Sequence, residues 1–93
     1  MGFTNHKSKR DTNHTLITTY LLQLGFSVYD TSTLGSGFPD IIIARNKETA
    51  IAEIKTEKGK LSQGQVDFIS SWQGKVFILR NIEDCVELAN KWG

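Results

Sequence analysis

Three charged residues lie in segments whose other residues predict buried β-strands. Asp40 directly precedes the apolar run 41–44. Glu53 and Lys55 lie in the segment 50–55, where a single isoleucine separates them. Because side chains two residues apart on a strand point to the same face, Glu53 and Lys55 are expected to project together. Charged side chains on the face of a central strand are costly to bury, so they indicate a place where chemistry or binding occurs.

The turn between these two strands determines how close the two carboxylates lie. With a four-residue turn at 46–49, Asp40 faces Lys55 across the strand pair. Glu53 then faces Ile42, two residues along from Asp40. Asp40 and Glu53 become diagonal neighbours on one face of the sheet, about 7–8 Å apart at Cα. A turn with an odd number of residues would place the two carboxylates on opposite faces.

Two carboxylates at this distance can share one divalent cation. Burying them together costs several kcal/mol unless a cation or hydrogen bonds compensate. Carboxylate oxygens suit a hard ion such as Mg²⁺, which retains several water molecules and commonly binds phosphate as well. Such an ion polarises a phosphoryl oxygen and activates water, and an adjacent lysine stabilises the charge that develops. The alternative is an Asp40–Lys55 ion pair, with Glu53 half exposed at a sheet edge.

The hydrophobic pattern predicts the elements that must position these residues. An amphipathic helix precedes three strands, and a helix, a strand and a final helix follow them. The predicted elements are a helix at 11–24, strands at 26–31, 41–44 and 50–55, a helix that Ser62 caps and Gly74 ends, a strand at 75–80, and a helix that Asn81 caps. The order α-β-β-β-α-β-α implies an α/β fold, a mixed four-stranded sheet flanked by helices.

The helix that follows the charged strands has a well-marked start. Ser62 can accept a hydrogen bond from the backbone N–H of Gln65 while the Gln65 side chain reaches back, which forms a capping box. The apolar residues of this helix are expected to form its buried side: Val66, Phe68, Ile69 and Trp72.

Length and composition are typical of one small globular domain. The chain has 93 residues, of which 39% are hydrophobic and 23% charged, with a formal net charge of +1. Residues 1–10 are predicted to be a basic flexible arm that either keeps the chain in solution or contacts phosphates. Residues 11–93 are predicted to form the single domain.

The lone cysteine and the lack of long apolar runs indicate the compartment. Cys85 cannot form a disulfide within one chain, which favours a reducing compartment. No apolar run is long enough to span a membrane, so no membrane association is expected. These observations predict a cytoplasmic protein. Cys85 also falls on the apolar stripe of the last helix, so it is expected in the core.

The charged residues and their spacing resemble a known nuclease motif. Pro39-Asp40, followed 13 positions after Asp40 by Glu53-Ile54-Lys55, is similar to the PD-(D/E)XK motif. Four segments extend the resemblance: GFPDII at 37–42, AEIK at 52–55, GKLSQGQ at 59–65 and WQGKV at 72–76. With these segments, nearly the whole chain resembles the small VRR-NUC branch of that superfamily, in particular its standalone phage-type members.

This resemblance implies a nuclease that depends on Mg²⁺ or Mn²⁺ and cleaves DNA. Asp40 and Glu53 would be carboxylate ligands of the metal, and the carbonyl of Ile54 a further ligand. Lys55 would lie near the attacking water, and Gln65 beside the active site. Standalone relatives resemble Holliday-junction resolvases and act as homodimers on branched DNA. The phage-type likeness further implies a protein that acts in the cytoplasm of a bacterial host.

The first helix departs from the pattern of the superfamily. Many relatives place a glutamate there as another residue of the metal site, whereas this chain has Asn13 and His14 at the corresponding place. Either residue could bind the metal through water or contact a phosphate. Alternatively, both residues simply begin a helix.

Three further residues are candidates for DNA contacts. Lys58 and Lys60 follow the motif directly and could guide a DNA backbone, although solvated loop lysines are common. Ser36, between two glycines, could help to cradle a phosphate, or its segment could be only a turn.

The leading hypothesis is therefore a structure-selective DNA endonuclease that acts as a homodimer. Two equivalent sites would suit symmetric cuts across a junction. The alternative is a non-catalytic DNA-binding or assembly module on a nuclease scaffold, which the altered first helix motivates. A sequence-specific restriction-type nuclease shares the chemistry, but this length leaves little room for recognition segments.

Overall fold

The computed structural model describes residues 9–92 of the chain, which form one mixed sheet and three helices. In chain order the elements are α1 (Lys9–Gln23), β1 (Ser27–Asp30), β2 (Ile41–Arg45), β3 (Glu48–Ile54), α2 (Gln63–Ser71), β4 (Val76–Leu79) and α3 (Ile82–Lys91). The predicted order α-β-β-β-α-β-α is confirmed. Within residues 9–92, no helix has both the length and the apolar character needed to cross a membrane.

The predicted arm and the first helix meet at a different boundary. Helix α1 begins at Lys9, two residues before the predicted start at Asp11. Residues 1–8 of the predicted arm lie outside the described residues, and the role of the arm stays a prediction.

The four strands form a single sheet in the order β1-β2-β3-β4. Strand β2 pairs antiparallel with both β1 and β3, whereas β3 and β4 are parallel. A parallel pair needs a crossover connection, and the segment that contains α2 provides it. The predicted mixed four-stranded sheet is therefore confirmed.

The register of the central hairpin differs from the prediction. The turn consists of Asn46 and Lys47, which both have left-handed φ values, 54° and 67°. Arg45 consequently pairs with Glu48, and the pairing extends to Ile41 opposite Ala52. The predicted four-residue turn at 46–49 is wrong, because two successive left-handed residues close the tight hairpin that matches strand twist.

This correction moves the two carboxylates closer together. Asp40 precedes the last pair, Ile41 with Ala52, so the position opposite it is Glu53 rather than Lys55. The register shifts by two residues, and because side chains alternate with a period of two, both carboxylates stay on one face. Asp40 and Glu53 are therefore directly opposite each other on the two strands, and not diagonal neighbours as predicted.

Helices α1 and α3 cover one face of the sheet and enclose the core. They pack against each other, against β1 and β3 through α1, and against β4 through α3. The buried core consists of Ile17, Leu21, Phe26, Ile41, Ile43, Ala50, Ala52, Ile54, Leu79, Cys85 and Leu88. The predicted core position of Cys85 is confirmed, and burial raises the pKa of its thiol to about 11.

Helix α2 lies on the molecular surface, contrary to the prediction that one of its sides is buried. Its capping box is present, since Ser62 Oγ accepts from the Gln65 N–H at 3.2 Å and Gln65 Oε1 accepts from the Ser62 N–H at 2.8 Å. No residue of α2 is fully buried, and Trp72 and Val66 are 43% and 39% exposed. Phe68 and Ile69 are half-buried, so the apolar side of this helix is only partly covered within residues 9–92.

The aromatic residues of α2 pack instead with the loop before β2. The ring centroid of Phe68 lies 5.1 Å from that of Phe38 and 5.2 Å from that of Trp72. We call Phe38, Phe68 and Trp72 the aromatic surface. Gly37 approaches α2 so closely that a Cβ atom there would overlap the Gly64 carbonyl, and its φ of 79° also favours glycine. The loop and the start of α2 are thereby held at the end of the sheet where β2 begins.

Candidate active site

Asp40 is held rigidly at the entrance of β2. Its side chain is buried, and its Oδ2 accepts a hydrogen bond from the backbone N–H of Ile54 at 3.0 Å. Thr31, which is also buried, donates its N–H to the Asp40 carbonyl and its hydroxyl to the Pro39 carbonyl, both at 2.7 Å. The carboxylate is therefore fixed by the backbone of the neighbouring strand and by the end of β1.

Glu53 is the most deeply buried charged residue of the site, with 1% of its surface exposed. The amide Nε2 of Gln65 donates to Glu53 Oε2 at 2.8 Å, and Lys55 Nζ lies 3.8 Å from the same oxygen. The Gln65 side chain thus uses its oxygen to cap α2 and its nitrogen to hold Glu53. The two roles that the sequence suggested for Gln65 are compatible.

Burial and charge combine to perturb Glu53. Loss of hydration, and after it the adjacent Asp40, raise the pKa of its carboxyl to about 7, while Lys55 opposes the shift. A carboxyl with this pKa accepts a proton readily near neutral pH when no cation is present. The site therefore contains two facing carboxylates, those of Asp40 and Glu53. The ammonium group of Lys55 and the amide of Gln65 lie beside Glu53.

The structure gives Asn13 a contact that the sequence did not indicate. Its Nδ2 donates to the carbonyl of Lys55 at 2.7 Å and to the carbonyl of Arg80 at 3.2 Å. His14 is half-buried, and its Nε2 is buried without a hydrogen-bond partner. Within residues 9–92, no hydrogen bond joins either side chain to the two carboxylates. The predicted DNA contacts of both residues stay predictions.

The candidate DNA-binding lysines lie on the exposed segment between β3 and α2. Lys58 and Lys60 are both exposed, and so is Ser36, whose φ of 55° places it in the left-handed region. The segment is not loose, because Arg80 Nη1 donates to the carbonyls of Thr56 and Gly59, both at 2.6 Å.

Sequence reasoning missed Thr31 and Arg80 as residues that support the site. Thr31 holds the main chain of Asp40, and Arg80 holds the segment that follows Lys55. Both act through main-chain carbonyls that are distant in sequence, and no local pattern distinguishes them from ordinary strand-end residues.

The donor set fits a hard divalent cation but requires more than side chains. Across residues 9–92, no group of three or more His, Cys, Asp or Glu side chains could hold a metal ion. Asp40 and Glu53 supply two carboxylates, so a main-chain oxygen, water or phosphate would have to complete the coordination. Mg²⁺ commonly binds in this way, through one or two carboxylates and several waters.

Comparisons with known proteins agree with this fold. No family model matches the sequence, and no curated protein matches it. A solved structure titled "VRR_NUC domain" is similar, with a TM-score of 0.77 at 19% sequence identity. The match covers 94% of this chain and 100% of that chain. The chain therefore has the fold of a VRR-NUC domain, as the sequence resemblance implied.

We expect Glu53 to make the metal-free protein less stable as pH rises. Its pKa is about 7 in the folded state, against an ordinary value of 4.5, so folding favours the protonated carboxyl. The resulting stability is fully present below pH 4.5 and is lost as pH rises through about 7, by up to roughly 3 kcal/mol. Urea denaturation in EDTA at pH 5 and pH 8 measures this change.

The matched variant Glu53→Gln lacks the titrating group and should lose less stability between the two pH values than the wild type. Equal losses in the two proteins would show that another group causes the pH dependence.

Proposed function

We propose that the protein is a divalent-metal-dependent endonuclease that hydrolyses phosphodiester bonds in branched DNA and acts as a homodimer. The observation that carries the proposal is the buried, directly facing pair of Asp40 and Glu53, with Lys55 beside Glu53. A fold shared with a VRR_NUC domain supports it. A purely structural ion pair would need only one acid, whereas here a second acid is buried at a cost.

Asp40 and Glu53 would be the carboxylate ligands of Mg²⁺ or Mn²⁺, and the Ile54 carbonyl would be a main-chain ligand. Their fit to the metal rests on the burial of two carboxylates that face each other, because a divalent charge compensates their mutual repulsion. The raised pKa of Glu53 agrees with this. When bound, the cation polarises a phosphoryl oxygen and makes water a better nucleophile.

The remaining residues of the site orient the reacting groups. Lys55 is held against Glu53 and would stabilise the negative charge that develops as water adds to phosphorus and the bond to the leaving oxygen breaks. Gln65 fixes the orientation of the Glu53 carboxylate through its amide. Because Gln65 also closes the cap of α2, that orientation is coupled to the position of the helix.

Replacing Glu53 by Gln should abolish metal-dependent cleavage. Gln keeps the shape of the side chain but lacks the negative charge, so we expect at least a hundredfold loss of kcat, on the order seen when a group that stabilises the transition state is removed. The assay is cleavage of a labelled four-way junction in Mg²⁺.

The control is Glu87→Gln, an exposed acid of α3 that pairs with Lys91. It should retain wild-type turnover, and the circular dichroism spectra of both variants should match the wild type. Wild-type turnover in Glu53→Gln would refute the assignment of the site.

The exposed lysines after β3 would bind the DNA backbone. Lys58 and Lys60 are exposed on the segment that follows Lys55 and that Arg80 anchors, so their charges would lie at the same end of β3 as the site. Contacts with phosphate release counterions and make binding depend on salt.

Neutralising both lysines, as Lys58→Ala with Lys60→Ala, should weaken DNA binding and flatten its dependence on salt. Each phosphate contact that is lost lowers the slope of log K against log salt by about 0.9 for duplex DNA. Fluorescence anisotropy from 50 to 200 mM salt measures the slope. The control is Lys75→Ala with Lys91→Ala, two exposed lysines before β4 and at the end of α3, and it should leave the slope unchanged. A slope unaltered by the first pair would exclude this segment from the interface.

The aromatic surface supports the dimer. Helix α2 has no fully buried residue, and Trp72 is 43% exposed although it stacks on Phe68. Phe38 and Phe68 are half-buried beside Trp72, and an apolar patch of aromatic side chains that is partly open to solvent is typical of protein interfaces. A second copy of the chain would cover this surface and bring a second site beside the first, as paired cuts in a four-way junction require.

Trp72→Arg should convert the dimer into a monomer, because it places a charge at the most exposed residue of the aromatic surface. Sedimentation equilibrium should give twice the chain mass for the wild type and the chain mass for the variant. Leu22→Arg changes an equally apolar residue on α1 that is 57% exposed, and it should remain dimeric. A monomeric wild type, or a dimeric Trp72→Arg, would overturn the assignment of this interface.

A further inference from the structure

Helix α1 is tied to the ends of two strands by one side chain. Strand β3 ends at Ile54 and is followed by Lys55, and strand β4 ends at Leu79 and is followed by Arg80. The amide of Asn13 donates to the carbonyls of both of these residues, at 2.7 Å and 3.2 Å. It therefore holds the main chain at the point where the sheet pairing stops.

Lys55 depends on its main chain for its position in the site. Its own N–H donates to the Leu79 carbonyl at 3.0 Å, and its Nζ lies 3.8 Å from Glu53 Oε2 with 17% of the side chain exposed. A lysine side chain has four rotatable bonds, so its ammonium group stays in place only when its first atoms are fixed. The bond from Asn13 fixes them from the side of α1.

The segment that follows Lys55 has further contacts that do not involve the Asn13 side chain. Arg80 Nη1 donates to the carbonyls of Thr56 and Gly59. The main chain of Arg80 is also held by Asp84, whose Oδ2 accepts from the Arg80 N–H at 2.8 Å. Loss of the Asn13 bonds should therefore leave the segment anchored through Arg80, and the change should be centred on Lys55.

Both amide hydrogens of Asn13 are used in these two bonds. A primary amide has two N–H donors, and each of the two carbonyls takes one. While the bonds persist, the Asn13 nitrogen has no hydrogen left to donate to a DNA phosphate. The bonds therefore favour a role inside the protein over the DNA contact that the sequence suggested.

We propose that Asn13 is a positioning residue that sets the main chain of Lys55, and through it the Lys55 ammonium, against Glu53. The proposal rests on the nuclease function proposed above. Helix α1 then contributes to the site although it supplies no carboxylate, because Asn13 positions Lys55 and does not bind the metal.

The test compares Asn13→Ala with Trp92→Phe. Alanine favours the helix at position 13, so α1 should persist. Trp92→Phe removes another bond from a side-chain nitrogen to a main-chain carbonyl, Nε1 to Arg45 at 2.7 Å, at the opposite end of the sheet. Trp92→Phe therefore shows how much activity is lost through reduced stability alone. Thermal denaturation measures the loss of stability in both variants.

We expect Asn13→Ala to lower kcat on a four-way junction by roughly 10- to 100-fold with an unchanged KM, as a small misplacement of a reacting group does. Trp92→Phe should keep the wild-type kcat. An unchanged kcat in Asn13→Ala would overturn the proposal, as would an equal fall in both variants. A raised KM with normal kcat would instead make Asn13 a DNA contact.

A second measurement does not need activity. Acetylation of lysines by acetic anhydride, followed by mass spectrometry, compares Lys55 with the exposed Lys91. The ratio of Lys55 acetylation to Lys91 acetylation should rise several-fold in Asn13→Ala, because local release of the main chain exposes the Lys55 amine. The ratio should stay unchanged in Trp92→Phe. An unchanged ratio would overturn the proposal. A wild type that cleaves no DNA in Mg²⁺ or Mn²⁺ would refute the nuclease function, while the ratio would still decide the role of Asn13.

Discussion

Asp40 and Glu53 face each other from two neighbouring strands, and both carboxylates are buried. Two like charges in this position repel each other and lose hydration, so the folded chain must compensate them from outside the pair. The backbone N–H of Ile54, the Gln65 amide and the Lys55 ammonium each supply part of that compensation. The raised pKa of Glu53 shows that the compensation is incomplete, which leaves the pair with an affinity for positive charge.

The surrounding elements converge on this pair. The end of β1 fixes the main chain of Asp40 through Thr31, and the first turn of α2 delivers Gln65. Gly37 lets the preceding loop approach that turn closely enough to hold it at the end of the sheet. Helix α1 contributes from the other side of the sheet through Asn13. Two helices, α1 and α2, and the ends of three strands thus converge on a site that a small core supports.

The sequence predicts the order of elements, the mixed sheet and the shared face of the two carboxylates, because apolar periodicity and the period of two determine them. It does not determine the register, since the choice between a two-residue and a four-residue turn depends on whether Asn46 and Lys47 adopt left-handed conformations. The predicted and observed registers differ by two residues, an even number, so the prediction that the two carboxylates share one face of the sheet remains correct. Periodicity likewise locates the apolar side of α2 but says nothing about whether the same chain covers it. The contact of Asn13 with Lys55 spans 42 positions and has no local signature.

The central claim is that the facing carboxylates serve metal-dependent cleavage of branched DNA. Its most direct test is cleavage of labelled four-way junction, flap, single-stranded and linear duplex DNA by the wild-type protein in Mg²⁺, Mn²⁺ or EDTA. The account predicts cuts in the branched substrates that require either metal and disappear in EDTA. Tight binding to the junction with no cleavage in either metal would contradict it and would favour a non-catalytic DNA-binding module on the same scaffold.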